Sequence, residues 1–402
     1  MKLPYIRIAT NYYKVAEKPS VFGATSIVRI PWNFDTIKRD HGVEYEKKIP
    51  RYDGTVCFPE HLDFKKEIGN FYNVYNPLTH SPQDGSIENS MKFLKHIFGE
   101  QLDIGLDFLK LLYMCPLNML PILCLVSTER NTGKTTFLKW LKLIYQKNAT
   151  YLTNSSFTSQ FNDDWVNCLL VMLDEVLFNM QEYTERLKNL STTNSFKEEA
   201  KSKGRFEVDF FAKFIICSNN ETGFIHIDPE ETRFWVRKIN PLPSIDVDVK
   251  LEGKLNEEIP AFLNFLIDRE FVTQCKTRMW FTPEQIFTSA LARLKDACHP
   301  KLEKNMAYVV IDAMDFLEED SISLLPRDFV NLLSTMKKRT DPNEVRDILK
   351  KKWNLSPVPT TRMYTRVILY ADGTYFAKPQ EKGKYYTITR DFLIQRFDDL
   401  KI

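Results

Sequence analysis

The sequence lacks a large net charge and lacks long apolar runs. Its 55 Lys and Arg residues face 53 Asp and Glu residues, which leaves a formal net charge of +2. The chain as a whole is therefore no polycation, and any surface for nucleic acid must come from local clustering of charge. The longest apolar stretches are too short to span a membrane, and no apolar segment follows the basic residues near the N-terminus. We expect neither a membrane contact nor a signal peptide.

The sequence also lacks paired cysteines. Its seven cysteines lie far apart, none forms a C-x-x-C pair, and several, such as Cys124 and Cys217, fall inside apolar runs. This pattern argues against a disulfide framework or a zinc site and favours buried thiols in a reducing compartment. His41 and His61 are isolated, so we interpret them as surface or loop histidines rather than metal ligands.

The length and composition indicate a globular protein of two or three domains, with 402 residues, 43% hydrophobic and 27% charged. Residues 1–80 read as β-rich, since Tyr5–Ile8 and 26–30 alternate polar and apolar side chains. A Ser- and Pro-containing stretch near residues 81–86 reads as a linker. We predict four segments: the β-rich region 1–80, a nucleotide-binding domain over 81–245, a helical lid or linker over 246–322, and a basic domain over 323–402.

The stretch 123–138 reads LCLVSTERNTGKTTFL and organises the rest of the chain. An apolar run, a short polar loop and an amphipathic segment predict a strand, a phosphate-binding loop and a helix. In such a loop Lys134 reaches the outer phosphates and the Thr135 hydroxyl binds Mg²⁺, although Thr128 stands where the G-x-x-x-x-G-K-[ST] pattern has its first glycine. The predicted nucleotide-binding residues are Thr128, Glu129, Arg130, Asn131, Thr132, Gly133, Lys134, Thr135 and Thr136.

Two adjacent carboxylates support the interpretation of the GKT stretch as a phosphate-binding loop, which so short a motif cannot establish by itself. The unbroken apolar run 168–173 predicts a buried parallel strand, and Asp174 and Glu175 follow it directly. Ligands of α/β proteins bind at the carboxyl ends of such strands, so Asp174 can hold Mg²⁺ through water and Glu175 can polarise an attacking water. The alternative is that these acids only cap the next helix. We predict Thr135 and Asp174 as the metal-binding pair.

Asn219 and Arg233 are candidate site residues only in combination with the loop and the two carboxylates. Asn219 follows a third apolar strand, 214–218, where an amide can contact a γ-phosphate or orient water, but an Asn in a turn is also common. Arg233 can stabilise transition-state charge on a neighbouring subunit's nucleotide, or it is an ordinary surface arginine. The basic stretch Lys201, Lys203, Arg205 is either a solvated face or a hairpin tip that contacts nucleic-acid phosphates.

Positive charge concentrates near the C-terminus, where residues 326–390 hold fourteen basic and six acidic side chains. We predict a helix over 328–336, a second helix over 342–353 with Asp341 as N-cap, and a hairpin of 364–370 with 385–388 around an Asp372-Gly373 turn. This order is typical of a winged helix. The second helix would face DNA, although such domains also bind proteins. Its candidate DNA-binding residues are Arg346, Lys350, Lys351 and Lys352.

The order GKTT, LVMLDE, a lysine-rich stretch, FIICSNN and TRFW resembles the superfamily 3 helicases. Within them the chain is similar to the poxvirus D5-like and phage or plasmid primase-helicase group, over about residues 70–240. The resemblance implies an α/β fold with an AAA+-like P-loop core. It also implies an ATP- and Mg²⁺-dependent helicase of a phage or mobile-element replication module, in the cytoplasm of a bacterium or host cell. Such a helicase hydrolyses ATP at the subunit interfaces of a homo-oligomeric, hexameric ring, binds single-stranded or forked DNA and moves on single-stranded DNA.

The resemblance also assigns roles to residues. Lys134 and Thr135 belong to the phosphate loop, Asp174 and Glu175 to the metal-and-water motif, Asn219 to the polar sensor and Arg233 to the arginine finger. The replacement of a second Arg by Thr232 leaves Arg237 as an alternative finger. Lys201 and Lys203 fall in the DNA-contacting stretch. The first 75 residues show no cluster of acidic metal ligands, so we expect a helicase half without priming activity and with a separate primase or polymerase as partner.

Two other functions compete with a helicase. A nucleotide-switched DNA-binding initiator or loader that does not unwind would have the same ATP site and the same basic region. A small-molecule or protein kinase is disfavoured by the Asp174–Glu175 pair and by the lack of a motif that would supply a base for a substrate hydroxyl.

Overall fold

The computed structural model describes residues 4–19, 25–159, 161–175, 181–198, 206–228, 230–242, 250–298, 301–335, 340–370 and 372–397. The chain forms two compact units. The first comprises residues 1–178, 182–220 and 233–287, and the second comprises residues 179–181, 221–232 and 288–402. The segment 246–322, expected to form one lid or linker, is divided between the two units at residues 287 and 288.

The first unit begins with a β-rich region, as the alternating pattern predicted. Two sheets form there, a four-stranded sheet in the order β3-β2-β1-β4 and a three-stranded sheet in the order β5-β7-β6. Helix α1 (Phe34–His41) buries Ile37 against Tyr5 and Ile49. The strands are β1 (Tyr5–Ile8), β2 (Asn11–Pro19), β3 (Thr25–Trp32), β4 (Arg51–Tyr52), β5 (Gly54–Val56), β6 (Glu67–Ile68) and β7 (Phe71–Asn73).

A five-stranded parallel sheet forms the centre of the first unit. The strands that follow are β8 (Ile122–Val126), β9 (Ala149–Leu152), β10 (Leu170–Leu173), β11 (Ser195–Glu198), β12 (Phe206–Asp209), β13 (Lys213–Ser218) and β14 (Phe234–Lys238). The sheet order is β14-β8-β13-β10-β9, and every neighbouring pair is parallel. Strands β8, β10 and β13 are buried along their whole length, which explains why they read as unbroken apolar runs. Strands β11 and β12 form a separate antiparallel hairpin.

Helices cover this sheet through stripes of apolar side chains. Helices α2, α3, α4 and α8 contribute to one continuous core with β8, β10 and β13. The Trp140 indole donates a hydrogen bond to the Leu255 carbonyl at 3.2 Å, which joins α4 to α7. The helices are α2 (Glu88–Phe98), α3 (Leu102–Met114), α4 (Lys134–Tyr145), α5 (Asn154–Thr158), α6 (Gln181–Leu190), α7 (Leu251–Glu257) and α8 (Ile259–Asp268).

The second unit has its own core, built on helices and two small antiparallel sheets. Its elements are α9 (Ser289–Ala297), α10 (Lys301–Leu317), β15 (Ser321–Leu324), α11 (Pro326–Thr335), α12 (Pro342–Asp347), β16 (Arg362–Leu369), β17 (Tyr375–Gly383), β18 (Tyr386–Thr389) and α13 (Arg390–Arg396). A π-helical turn, Ile348–Lys352, extends α12. Across the described ranges, no helix combines the length and the apolarity needed to cross a membrane.

The two basic-region helices are confirmed, but the predicted pairing of the hairpin is wrong. Asp341 caps α12 in a capping box with Glu344, and Pro342 lies at the first helical position. Strand β16 pairs with β17 around the Asp372-Gly373 turn, whereas the predicted partner, β18, pairs with β15. Residues 386–389 alternate as a strand should, but alternation does not determine which strand lies beside it.

Candidate functional site

The loop between β8 and α4 is held in place by hydrogen bonds from three directions. Its first residue, Ser127, donates its backbone N–H to the Ser218 carbonyl at 3.2 Å. The Asn131 carbonyl accepts from the Leu242 N–H at 3.1 Å. The Thr132 carbonyl lies 3.0 Å from His96 Nε2 on α2. The loop is therefore fixed against the sheet, the chain after β14 and a helix that precedes the sheet.

The loop bends back through two left-handed residues. Asn131 has φ +56° and Gly133, directly before α4, has φ +85°. A Cβ atom on Gly133 would lie 3.1 Å from Phe93 Cε2. Both the backbone conformation and this close approach require glycine, as the GKT motif implied. At a helix start the first backbone N–H groups have no helical partner, so they can bind an anion.

Lys134 and Thr135 begin helix α4. Lys134 is 6% exposed, and its ammonium donates to Thr132 Oγ1 at 3.1 Å. Thr135 is exposed and Thr136 is half-buried. In the first part of the loop, the side chains of residues 128–131 are exposed. The buried ammonium therefore lies inside the loop, where it can neutralise phosphate charge, while the hydroxyl of Thr135 faces outward.

The structure brings Thr135 and Asp174 together. The Thr135 hydroxyl donates a hydrogen bond to Asp174 Oδ2 at 3.3 Å. Asp174 directly follows β10 and is half-buried, and its Oδ1 accepts from the Glu175 N–H at 3.1 Å. A hydroxyl and a carboxylate at this distance form a donor set of oxygen atoms, which Mg²⁺ prefers. The residues present therefore fit the predicted metal.

Glu175 is exposed and has φ +57°. A left-handed conformation is unusual for a glutamate and costs about 1–2 kcal/mol, and such strain clusters at functional sites. This conformation turns the chain sharply after Asp174. It places the two adjacent carboxylates in different surroundings, one half-buried beside Thr135 and one in solvent.

Two neighbouring side chains, the buried Cys217 and the exposed Tyr151, respond to the charges of this site. The pKa of the Cys217 thiol is well above its ordinary value because of burial and the Asp174 carboxylate, and the Lys134 ammonium acts in the opposite direction. Burial, followed by the same carboxylate, raises the pKa of Tyr151 to about 12. Asp174 and Lys134 therefore act on one environment at the carboxyl edge of the sheet. Both Cys217 and Tyr151 remain protonated at neutral pH.

Asn219 lies at the same edge. It is exposed and directly follows Ser218, the last residue of β13, which pairs with Val126 at the end of β8. Strand β13 lies between the strand that leads into the loop and the strand that ends at Asp174. Asn219 therefore follows the strand that lies between these two, at the same edge of the sheet. The Asn220 N–H donates to Ser218 Oγ at 3.1 Å.

Arg233 lies at the opposite edge. Its carbonyl accepts from the N–H of Ile122, the first residue of β8, so a strand length of roughly 16 Å separates it from the loop of its own chain. Arg237 is 6% exposed, and its guanidinium pairs with Glu100 at 2.6 Å and with Gln101 Oε1 at 2.9 Å. This burial disfavours Arg237 as a group that reaches another subunit, whereas the half-buried Arg233 stays the candidate.

Of the two groups of candidate nucleic-acid-binding residues, the structure describes the group on α12 and not the group in residues 201–205. Lys201, Lys203 and Arg205 lie outside the described residues, but strands β11 and β12 on either side of them pair as a hairpin through Glu198 and Phe206. In the second unit, the basic residues of α12 and its π-helical turn are exposed. Their interactions are an ion pair of Lys351 with Asp347 at 2.9 Å and a hydrogen bond from Arg346 to Asn343 at 2.9 Å.

Sequence reasoning missed the contribution of α2 to this site. The apolar stripe of residues 87–98 predicts only a core-facing helix, but His96 and Phe93 of α2 also contact the loop at Thr132 and Gly133. A polar His within an apolar stripe was the one available signal. It does not specify a partner 36 positions away along the chain.

Comparisons with known proteins give a shared fold and a local match to the model of a family of unknown function. That family, DUF5906, matches residues 125–237, the range that contains the loop, both carboxylates, Asn219 and Arg233. No curated protein matches the chain. The apo structure of the NrS-1 C-terminal region is similar with a TM-score of 0.64 at 14% identity, covering 94% of this chain and 96% of that one. An A-form apo structure of the same region has a TM-score of 0.64 at 16% identity, covering 93% and 95%.

A structure of the JCV helicase with a bound acetamide compound is also similar, but only with a TM-score of 0.29 at 14% identity, covering 63% of this chain and 67% of that one. This likeness is too weak to carry an argument. The likeness to the NrS-1 C-terminal region establishes a shared mixed α/β fold over nearly the whole chain.

Proposed function

We propose that this chain is a Mg²⁺- and ATP-dependent DNA helicase or translocase. One observation carries the proposal: the hydroxyl of Thr135, beside Lys134 at the start of α4, lies within hydrogen-bond distance of the Asp174 carboxylate. Phosphoryl transfer to water needs a cation-binding pair next to a phosphate-binding loop. The order of motifs along the chain, which resembles that of superfamily 3 helicases, supports the choice of a motor.

Each group at the site has a role in this proposal. Thr135 and Asp174 would hold Mg²⁺, which neutralises phosphate charge when it is bound. Lys134 binds the outer phosphates, and the loop N–H groups bind the remaining phosphate oxygens. Glu175 orients a water and accepts its proton, and Asn219 contacts the γ-phosphate or that water. We assign Arg233 to the site of a neighbouring subunit, because it lies at the far edge of its own sheet.

The first test is ATP hydrolysis by Lys134→Ala. Removing one charge-stabilising donor lowers turnover by roughly a hundredfold or more. Lys139→Ala is the matched control, since Lys139 lies on the same helix, is exposed and pairs with Glu252 at 2.8 Å. We expect the control to hydrolyse ATP at the wild-type rate. Wild-type turnover by Lys134→Ala would refute the site.

Strand displacement on a forked DNA duplex then separates a helicase from a loader. We expect displacement that depends on ATP and on Lys134. DNA-stimulated ATP hydrolysis without displacement would instead favour an ATP-switched DNA-binding initiator or loader. The exposed basic residues of α12 and its π-helical turn would serve either function.

A further inference from the structure

A cleft of about 600 Å³ lies between the β-rich region and the chain that follows α4. Three of its lining residues are cationic and come from separate parts of the sequence: Arg29 on β3, Lys66 next to β6, and Lys147 after α4. The same cleft is lined by the aromatic rings of Phe64 and Tyr72. Among the described residues that line it, none carries a carboxylate.

Two of these cations are positioned by one ring. Arg29 Cζ lies 5.2 Å and Lys66 Nζ lies 5.3 Å from the centre of the Tyr72 ring. Tyr72 is itself 5% exposed and packs edge-on against Tyr52, with 5.2 Å between the ring centres. A fixed ring attracts cations through its negative face, so Arg29 and Lys66 are held in the cleft although both are exposed.

The third cation is held from the other side. The Lys147 ammonium donates to the carbonyl of Ile27 on β3. The pKa of Lys147 is lowered by burial first, and then by the nearby charges of Arg29 and Lys18. Of the cations that line the cleft, Lys147 and Arg29 therefore lie close enough to repel each other.

The three cations of the cleft have neutral partners, the Tyr72 ring and the Ile27 carbonyl. Neither Arg29, Lys66 nor Lys147 forms an ion pair with a described carboxylate. By contrast, the neighbouring Lys65 pairs with Asp63 at 3.2 Å. A protein of net charge +2 has carboxylates enough to pair with these groups, so an unpaired cluster of cations around a cleft indicates an anionic ligand.

We propose that this cleft binds the phosphodiester backbone of a single-stranded nucleic acid. The cations would contact successive phosphates, while Phe64 and the neighbouring apolar wall receive a sugar or base. The inference rests on the proposed function for its choice of polymer, and it adds a contact surface formed by residues 1–80 and Lys147, in addition to the basic stretch 201–205 and the basic residues of α12.

The test is the binding of a fluorescent oligothymidylate to the full chain without nucleotide, so that the result does not depend on ATP hydrolysis. The variant is Arg29→Gln combined with Lys66→Gln. We expect roughly tenfold weaker binding, and a slope of log affinity against log salt that falls by about 1.4, which corresponds to two lost phosphate contacts. Lys65→Gln is the matched control, because it removes one charge from the adjacent, ion-paired residue.

Binding of the double variant with the affinity and salt slope of Lys65→Gln would overturn the proposal, as would absence of binding by the wild-type chain. Thermal unfolding shows whether the variants are folded, and a single Lys66→Gln replaces the double variant if that one unfolds early. Two competitors identify the ligand. The affinities of polyglutamate and of thymidine monophosphate for wild type and for the double variant are compared with those of the oligonucleotide. If the double substitution weakens the binding of one of these two compounds but not of the oligonucleotide, the cleft binds an acidic peptide or a free nucleotide, and the proposal is wrong.

Discussion

The hydroxyl of Thr135 and the Oδ2 atom of Asp174 lie 3.3 Å apart although 39 positions separate the two residues in sequence. One belongs to the first turn of α4 and the other follows β10, and strand β13 lies between β10 and the strand that leads into α4. A single cation can therefore contact a hydroxyl and a carboxylate that are supplied by two independent elements. Lys134 lies next to Thr135 at the start of α4, and Glu175 lies next to Asp174 after β10.

Glu175→Gln is expected to keep ATP binding and lose hydrolysis. The substitution keeps the size of the side chain but removes the group that accepts a proton from water, so turnover should fall by about a hundredfold or more. Fluorescent ATP-analogue binding and phosphate release measure the two properties separately. Glu257→Gln, at an exposed position of α7, is the control and should change neither. Equal turnover of Glu175→Gln and the control would remove Glu175 from the mechanism.

Gly133→Ala is expected to lower the free energy of unfolding and to weaken nucleotide binding. An alanine at φ +85° is strained by about 1–2 kcal/mol, and its Cβ would press against Phe93. The control is Gly253→Ala within α7, where a Cβ meets no atom within 4 Å and helix propensity should raise stability by up to about 1 kcal/mol. Urea denaturation measures the free energy of unfolding of both variants, which should fall for Gly133→Ala and rise for Gly253→Ala. A Gly133→Ala variant as stable as wild type would show that the loop conformation is different.

Mixing two inactive variants tests the assignment of Arg233. Arg233→Ala has an intact phosphate loop and Lys134→Ala has an intact arginine, so a ring of both contains some complete sites if Arg233 acts on its neighbour. We expect each variant alone to hydrolyse ATP slowly and the mixture to recover part of the activity. If the two variants assemble together but the mixture recovers no ATP hydrolysis, Arg233 has no role in a neighbouring site.

Arg237→Ala distinguishes the alternative arginine. Its guanidinium is buried against Glu100 and Gln101, so its removal should lower the free energy of unfolding by about 1–3 kcal/mol. Mixing this variant with Lys134→Ala should recover no activity beyond that of the Arg237→Ala protein itself. A stable Arg237→Ala variant that is rescued by Lys134→Ala would reverse the two assignments.

The pH dependence of stability should contain a contribution from Lys213. Burial lowers the pKa of this lysine to about 7, and its ammonium donates to the carbonyls of Pro116 and Phe211. In the unfolded chain the pKa is about 10.4. Between these values the unfolded chain binds a proton that the folded chain does not, so the free energy of unfolding rises with pH from about 7 to about 10.

Lys213→Met should remove this rise. Urea denaturation at several pH values within that range compares wild type, Lys213→Met and the exposed control Lys95→Met. We expect the difference in the free energy of unfolding between wild type and Lys213→Met to change steadily with pH across this range and to become constant near its upper end. Parallel curves for all three proteins would show that Lys213 has an ordinary pKa.

The sequence predicted those parts of the fold that depend on local pattern. The apolar runs of β8, β10 and β13 are unbroken because both faces of these strands are buried, so their position could be predicted. The proximity of Thr135 and Asp174 followed from the rule that parallel strands end at one edge of a sheet. In the same way, Asp341 and Pro342 specified the start of α12 through local hydrogen bonding and a fixed φ.

Other features depend on contacts that no local pattern contains. Strand β9 is four residues long and lies at the sheet edge, where its half-exposed side chains give no apolar run. Strand β18 pairs with β15 rather than β16, a choice made by the core of the second unit. The left-handed Glu175 and the contact of His96 with Thr132 likewise depend on tertiary packing.

The most direct test of the proposed site is a crystal structure of the chain with Mg²⁺ and a non-hydrolysable ATP analogue. We predict a single Mg²⁺ bound directly to Thr135 Oγ1, with the Asp174 carboxylate in contact with that ion or with a water bound to it. A Mg²⁺–nucleotide complex bound elsewhere, or an ion that contacts neither Thr135 nor Asp174, would contradict it.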